Sequence, residues 1–153
     1  MTRIRALLAA ATLAAVSPAA AQAPPTPDQL RAATARVDAD FIRRNAATGR
    51  DWPSYGLNFS ENRFSPLTGI TTENAAQLGL AWSYDLGSRR GVQATPVVVG
   101  GVMYVTASWS VVHAIDARTG ARLWSFDPEV PREYGARGCC DVVNRGVAVH
   151  RGK

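Results

Sequence analysis

The chain has 153 residues, enough for one domain of modest size, and its 46% apolar content excludes a wholly disordered polymer. Seventeen Lys and Arg against 12 Asp and Glu give a formal charge of +5. Lys153 is the single lysine, and no basic run is longer than Arg43-Arg44 or Arg89-Arg90. The sequence therefore offers no nucleic-acid-binding stripe.

Arg3 and Arg5 precede an apolar run over 6–16, which is too short to span a bilayer, and small residues follow over 17–23. This reads as a secretory signal peptide, residues 1–21, and predicts a periplasmic location. Cleavage fits after Ala21 or after Ala23; Ala21 is favoured because the other cut leaves Pro24 beside the scissile bond. Removal of Arg3 and Arg5 leaves a balance of +3, and the absence of cysteine at the junction argues against a lipoprotein anchor.

Residues 22–50 read as a lead-in and a surface helix. Thr26 suits the N-cap, Pro27 the first helical position, and Gln29 completes a capping box. Leu30, Ala33, Val37 and Phe41 form one apolar stripe, so the spacing predicts a single helix ending near Asn45.

Residues 51–153 are of a different character and hold every Trp and Tyr. A short helix is expected over 73–78, capped by Thr72. Strands are expected over 79–86, 94–99, 102–107, 110–115 and 122–126, with Gly100-Gly101 and Thr119-Gly120 as turns. Four of these strands fall within residues 97–126, the size of one blade of a β-propeller, and residues 146–149 look like the start of another. One blade cannot bury both its faces, and a closed propeller of about eight blades needs well over 300 residues. The expectation is an all-β fold, an incomplete propeller belonging to a longer protein.

Cys139 and Cys140 are adjacent. Paired thiols tend to oxidise in an exported protein. A bridge between neighbours must strain the peptide joining them, because Cα atoms across a trans peptide lie about 3.8 Å apart, below the usual disulfide span of about 4.4–6.8 Å. Free or structural thiols, or half of a zinc site, are the alternatives; with no histidine nearby, zinc geometry is poor.

Two motifs carry a resemblance. Residues 114–124, Ala-x-Asp-x-x-Thr-Gly-x-x-x-Trp, resemble the tryptophan-docking motif of quinoprotein propellers. The resemblance implies structural roles for Asp116, Gly120 and Trp124, and for Trp82 as a second docking tryptophan. Residues 138–146, Gly-Cys-Cys-Asp-Val-Val-Asn-Arg-Gly, resemble the quinone-binding segment of the pyrroloquinoline quinone (PQQ)-dependent methanol/ethanol dehydrogenase family. Segments 51–56, 63–67 and 94–104 are similar to that family in the same order. The resemblance implies an eight-bladed quinoprotein propeller. It also implies a vicinal disulfide, Cys139–Cys140, against one face of the quinone, and Arg145 on a cofactor carboxylate, for which its planar fork is suited. At Gln93 the family usually has a glutamate that contacts the quinone rim.

The implied function is periplasmic oxidation of a small alcohol, with electrons passed to a cytochrome c. The implied cofactors are PQQ and a Ca²⁺ or lanthanide ion that polarises the quinone carbonyl, and a haem c domain is compatible with the family. The family's catalytic base and metal ligands lie beyond residue 153, so no catalytic or metal-binding residue is expected within the chain. His113, on a strand, and His150 are expected to be structural. Other readings are a non-catalytic quinoprotein-like scaffold and an inactive truncated relic; Cys139, Cys140 and Arg145 argue against a scaffold, which has no need of them. Substrate length and oligomeric state are not legible.

Overall fold

Thr26 begins the first helix. Its hydroxyl accepts from Gln29 N at 3.3 Å, and Gln29 Oε1 accepts from Thr26 N at 2.8 Å. The computed structural model describes residues 23–138 and 140–153; the signal peptide expected over 1–21 and Cys139 lie outside the described residues. Helix α1 spans Pro27–Ala35 and α2 spans Ala39–Asn45, so the single helix expected from the apolar stripe is broken in two. Asp38 causes the break. Extended at φ −144°, it accepts from Phe41 N through Oδ1 at 2.8 Å and caps α2. Val37, in the break, is fully buried.

Four strands follow: β1 (Val97–Val99), β2 (Val102–Thr106), β3 (Val112–Asp116) and β4 (Arg122–Phe126). They form an antiparallel meander in sequence order. Registers Val97↔Tyr104, Tyr104↔Ala114 and Ala114↔Trp124 place these side chains on one face. Val97, Val99, Val102, Tyr104 and Ala114 form the core on that face with Val37, and Leu30 and Phe41 of the helices pack against it. The β1–β2 turn needs its two glycines, at φ +59° and +78°. At Gly100 a Cβ would sit 2.6 Å from Ala33 Cβ, so α1 rests directly on this turn.

Asn45 and Asp51 lock the helices to the sheet. Asn45 Nδ2 donates to Asp51 O at 2.7 Å, and Asn45 Oδ1 accepts from Asp51 N at 3.0 Å. The Asp51 carboxylate accepts from Gly100 N at 2.7 Å and pairs with Arg36 at 3.6 Å. Trp52 then bridges Val98 on the free edge of β1.

Three expected elements differ. The helix over 73–78 is a 3₁₀ turn, Ala75–Gln77, without a side-chain cap. The Thr72 hydroxyl donates to the Glu73 carboxylate instead of capping, and Asn74 Oδ1 turns back to accept from Thr71 N. Residues 79–86 form no strand: no neighbouring strand pairs with them, and Leu80 is 86% exposed. The segment is held by side chains, with Trp82 and Tyr84 bonded to the sheet. Residues 146–149 pair in no ladder either; Val147 and Val149 pack on the core through their side chains. No described helix is long and apolar enough to cross a membrane.

Candidate functional site

The segment after the 3₁₀ turn Arg132–Ala136 carries the cysteines. Cys140 is disulfide-bonded. Asp141 sits at φ +67° and receives the forked guanidinium of Arg90: Nε donates to Oδ2 at 3.1 Å, and an Nη donates to Oδ1. The Arg90 hydrogen bonds, with help from Val142 N–H, hold the Asp141 carboxyl below the usual carboxylate range. This pair joins the segment to the loop that leads to Gln93.

Asn144 provides the next anchor. Its Oδ1 accepts from Thr106 Oγ1 at 3.0 Å and from Gly146 N at 2.9 Å, and its Nδ2 donates to Ser110 Oγ at 3.0 Å. Trp109 N donates to Val142 O at 2.8 Å. The β2–β3 connection, the turn Ser108–Ser110, is thereby fastened to the cysteine segment.

Arg145 is exposed, and among the described residues its guanidinium enters no ion pair. It borders an open cavity of about 310 Å³ with Tyr55, Thr95, Val97 and Val147. Thr95 N donates to Arg145 O at 3.3 Å. A Cβ on Gly91 would lie 3.7 Å from Val143, so the run carrying exposed Gln93 lies along the 143–145 segment. The structure thus lays the run 90–95, which carries Gln93, alongside the segment 141–145 that follows Cys140 and ends in Arg145.

The residues expected to dock form a separate group. Asp116 Oδ1 accepts from Arg118 N at 2.9 Å and Thr119 N at 3.0 Å, closing the β3–β4 turn. Burial pushes the Asp116 carboxyl up, but these N–H groups and the Arg118 charge outweigh it and leave it below the usual range. Gly120, at φ +74°, lies under Trp82: a Cβ there would come within 2.7 Å of the indole. Trp82 Nε1 donates to Ala117 O at 3.1 Å. Trp124 stands on β4 with its ring centroid 6.0 Å from that of Tyr104.

Neither histidine belongs to the cysteine segment. His113 is buried on β3, where Nδ1 shares a hydrogen bond of 3.0 Å with the Tyr84 hydroxyl; His150 N donates to Lys153 O at the chain end. Among the described residues no group of three His, Cys, Asp or Glu is placed to hold a metal ion. Sequence reading missed Asn144, Thr106 and the Arg90–Asp141 pair. The signal available was the polar Asn144 beside Arg145, which reads locally as a turn residue.

Comparison with known proteins adds a frame. Residues 52–153 match the family model for the glucose/ethanol/alcohol dehydrogenase β-propeller domain, the PQQ family. The quinohemoprotein alcohol dehydrogenase of Comamonas testosteroni is 62% identical over 125 residues, which is 82% of this chain and 18% of the relative. Its crystal structure superposes at a TM-score of 0.80 with 61% identity, over 83% of this chain and 19% of that chain. The 1-butanol dehydrogenase (cytochrome c) of Thauera butanivorans is 65% identical over 107 residues, 70% of this chain and 16% of the relative. A europium-containing methanol dehydrogenase superposes at 0.65 with 36% identity, covering 71% of this chain and 19% of that one. The chain thus spans less than a fifth of the length of the curated relatives named here.

Proposed function

Since the chain belongs to the PQQ-type glucose/ethanol/alcohol dehydrogenase β-propeller family, we propose that it forms part of the quinone site of a full-length PQQ-dependent alcohol dehydrogenase. The observation that carries this reading is Arg145. An exposed guanidinium without an ion pair among the described residues lies five residues from a disulfide-bonded cysteine and beside a cavity. Arg90, which reaches the same segment, is already matched by Asp141. The donor set therefore fits a flat, polycarboxylate cofactor: the unmatched Arg fork takes a carboxylate in charge-assisted hydrogen bonds.

In this reading Cys139 and Cys140 are bridged to each other and give the quinone a rigid apolar floor. The Gln93 amide hydrogen-bonds the cofactor rim without adding charge. PQQ, when bound, supplies an ortho-quinone that takes up the two electrons of alcohol oxidation. The chain's own residues bind and orient it. The eight-bladed closure, the Ca²⁺ or lanthanide ion, the periplasmic export through residues 1–21 and the transfer of electrons to a cytochrome c, or through a haem c domain, belong to the same proposal. The haem, cytochrome c and lanthanide parts are supported by the names of relatives, one a quinohemoprotein, one linked to cytochrome c and one containing europium; the blade count, the Ca²⁺ alternative and the export rest on the sequence resemblance and the residues of 1–21 alone.

The test is dye-linked oxidation of ethanol and 1-butanol by the purified full-length protein, with and without PQQ and with Ca²⁺ or a lanthanide. The expected result is alcohol oxidation that depends on PQQ. Failure of every metal and alcohol combination to give PQQ-dependent turnover would contradict the reading.

A further inference from the structure

The turn Ser108–Ser110 is held in an unusual shape: Trp109 and Ser110, neither of them glycine, sit consecutively at φ +64° and +60°. The left-handed region is unfavourable for such residues, and conformations of this kind persist where the surroundings impose them. The turn is closed by Ala107 N donating to Val111 O at 2.8 Å and tied by Ser108 Oγ to Gly91 O at 3.0 Å, and two further contacts on the left-handed residues themselves come from the cysteine segment. Trp109 N donates to Val142 O at 2.8 Å, and Asn144 Nδ2 donates to Ser110 Oγ at 3.0 Å. The other side of the Asn144 amide accepts from Thr106 Oγ1 at the end of β2 and from Gly146 N just past Arg145. Thr106 is 1% exposed, so its hydroxyl stands on the rigid part of the sheet.

Arg145 therefore lies between two backbone positions that are both fixed. Asn144 before it is bonded to the sheet and to the turn, and Gly146 after it is bonded to Asn144. Its own carbonyl is held by Thr95 N at 3.3 Å. Gly146, at φ +138°, leaves little room for adjustment, since a Cβ there would lie 3.1 Å from Thr95 O. The guanidinium at the end of this side chain is the group that the proposed function places on a cofactor carboxylate.

We propose that Asn144 is a positioning residue for the quinone site: through the Thr106 hydroxyl and the Ser110 hydroxyl it fixes the backbone that aims Arg145. The assignment rests on the PQQ reading above. It predicts that the Thr106 hydroxyl, which is buried and does not line the cavity beside Arg145, controls PQQ affinity. Thr106→Val keeps the side-chain shape and removes the hydroxyl. Thr106→Ser keeps the hydroxyl and removes the methyl.

The experiment titrates PQQ into full-length apo-protein, following the quinone absorbance, for the unmodified protein, Thr106→Val, Thr106→Ser and Asn144→Ala. Thermal unfolding of each apo-protein is recorded in parallel. Loss of an outer partner of a bound metal weakens affinity by about 10- to 100-fold, and a similar loss is expected in Thr106→Val and Asn144→Ala. Thr106→Ser should bind as the unmodified protein does. If Asn144→Ala does not fold, the Thr106 pair decides. Unchanged affinity in Thr106→Val, or equal weakening in Thr106→Val and Thr106→Ser, overturns the positioning role and leaves the PQQ reading standing. Absence of PQQ binding by the unmodified protein overturns both.

Discussion

Gly120→Ala tests the packing of Trp82 on the β3–β4 turn. The new Cβ has two costs. The residue stays at φ +74°, and the left-handed region costs a non-glycine residue about 1–2 kcal/mol. The Cβ also meets Trp82 Cδ2 at 2.7 Å and Cε3 at 2.8 Å, and overpacking of this kind typically costs about 1–3 kcal/mol. If the indole moves aside, the 3.1 Å bond from Trp82 Nε1 to Ala117 O is lost as well, worth about 1 kcal/mol. Gly101→Ala is the control. It stands at φ +78°, with nothing within 4 Å of the added Cβ. The backbone strain and the reduced entropy of the unfolded chain are then common to both variants and cancel in the comparison. Urea unfolding of the full-length protein, followed by tryptophan fluorescence, should show Gly120→Ala less stable than Gly101→Ala by about 2 kcal/mol. Equal destabilisation would refute the claim that this glycine exists to seat an indole.

Further tests address other parts of the molecule. Burial, aided by the Arg122 charge, holds His113 below its usual value of 6.5, so the folded chain favours the neutral ring while the unfolded chain takes up a proton as the pH falls through 6.5. Stability should drop from pH 7 to pH 5, and His113→Gln should flatten that slope in unfolding midpoints measured against pH; an unaltered slope would remove His113 as the cause. Alkylation of the unreduced full-length protein should leave Cys139 and Cys140 unlabelled, and labelling of both by mass spectrometry would break the proposed bridge. Gln93→Glu should raise PQQ-dependent activity if the missing carboxylate is a defect; a level or lower rate in dye-linked assays identifies Gln93 as an adapted residue.

The meander was legible because its strands are short apolar runs cut by glycines, and Gly100 and Gly101 both require positive φ. The β3–β4 turn was legible because an Asp and a Gly at fixed spacing mark it, and Asp116 closes it while Gly120 takes a positive φ; that the indole over Gly120 is Trp82, 38 residues earlier, was not. The break between α1 and α2 was not, since the apolar stripe runs through it and Val37, inside the break, is still a core residue; the Asp38 cap was the overlooked sign. Residues 79–86 show the opposite error. Leu80, Trp82 and Tyr84 alternate as in a strand, yet Trp82 and Tyr84 bond to β3 and its turn through side chains rather than through a ladder. In the candidate site, Cys140 and Arg145 stand out by residue type. Asn144 does not, because its role depends on Thr106 and Ser110, which are 38 and 34 residues away in the sequence.

The most direct measurement of the central claim is PQQ titration of full-length apo-protein with and without Arg145→Ala. Charge-assisted hydrogen bonds to a cofactor carboxylate are worth about 1.5–3 kcal/mol each, and about 1.4 kcal/mol is a factor of ten, so affinity should fall by about tenfold to a few hundredfold. Arg145→Lys should restore part of it, because a point charge does not reproduce the planar fork. Unchanged PQQ binding in Arg145→Ala would contradict the account and remove this arginine from the quinone site.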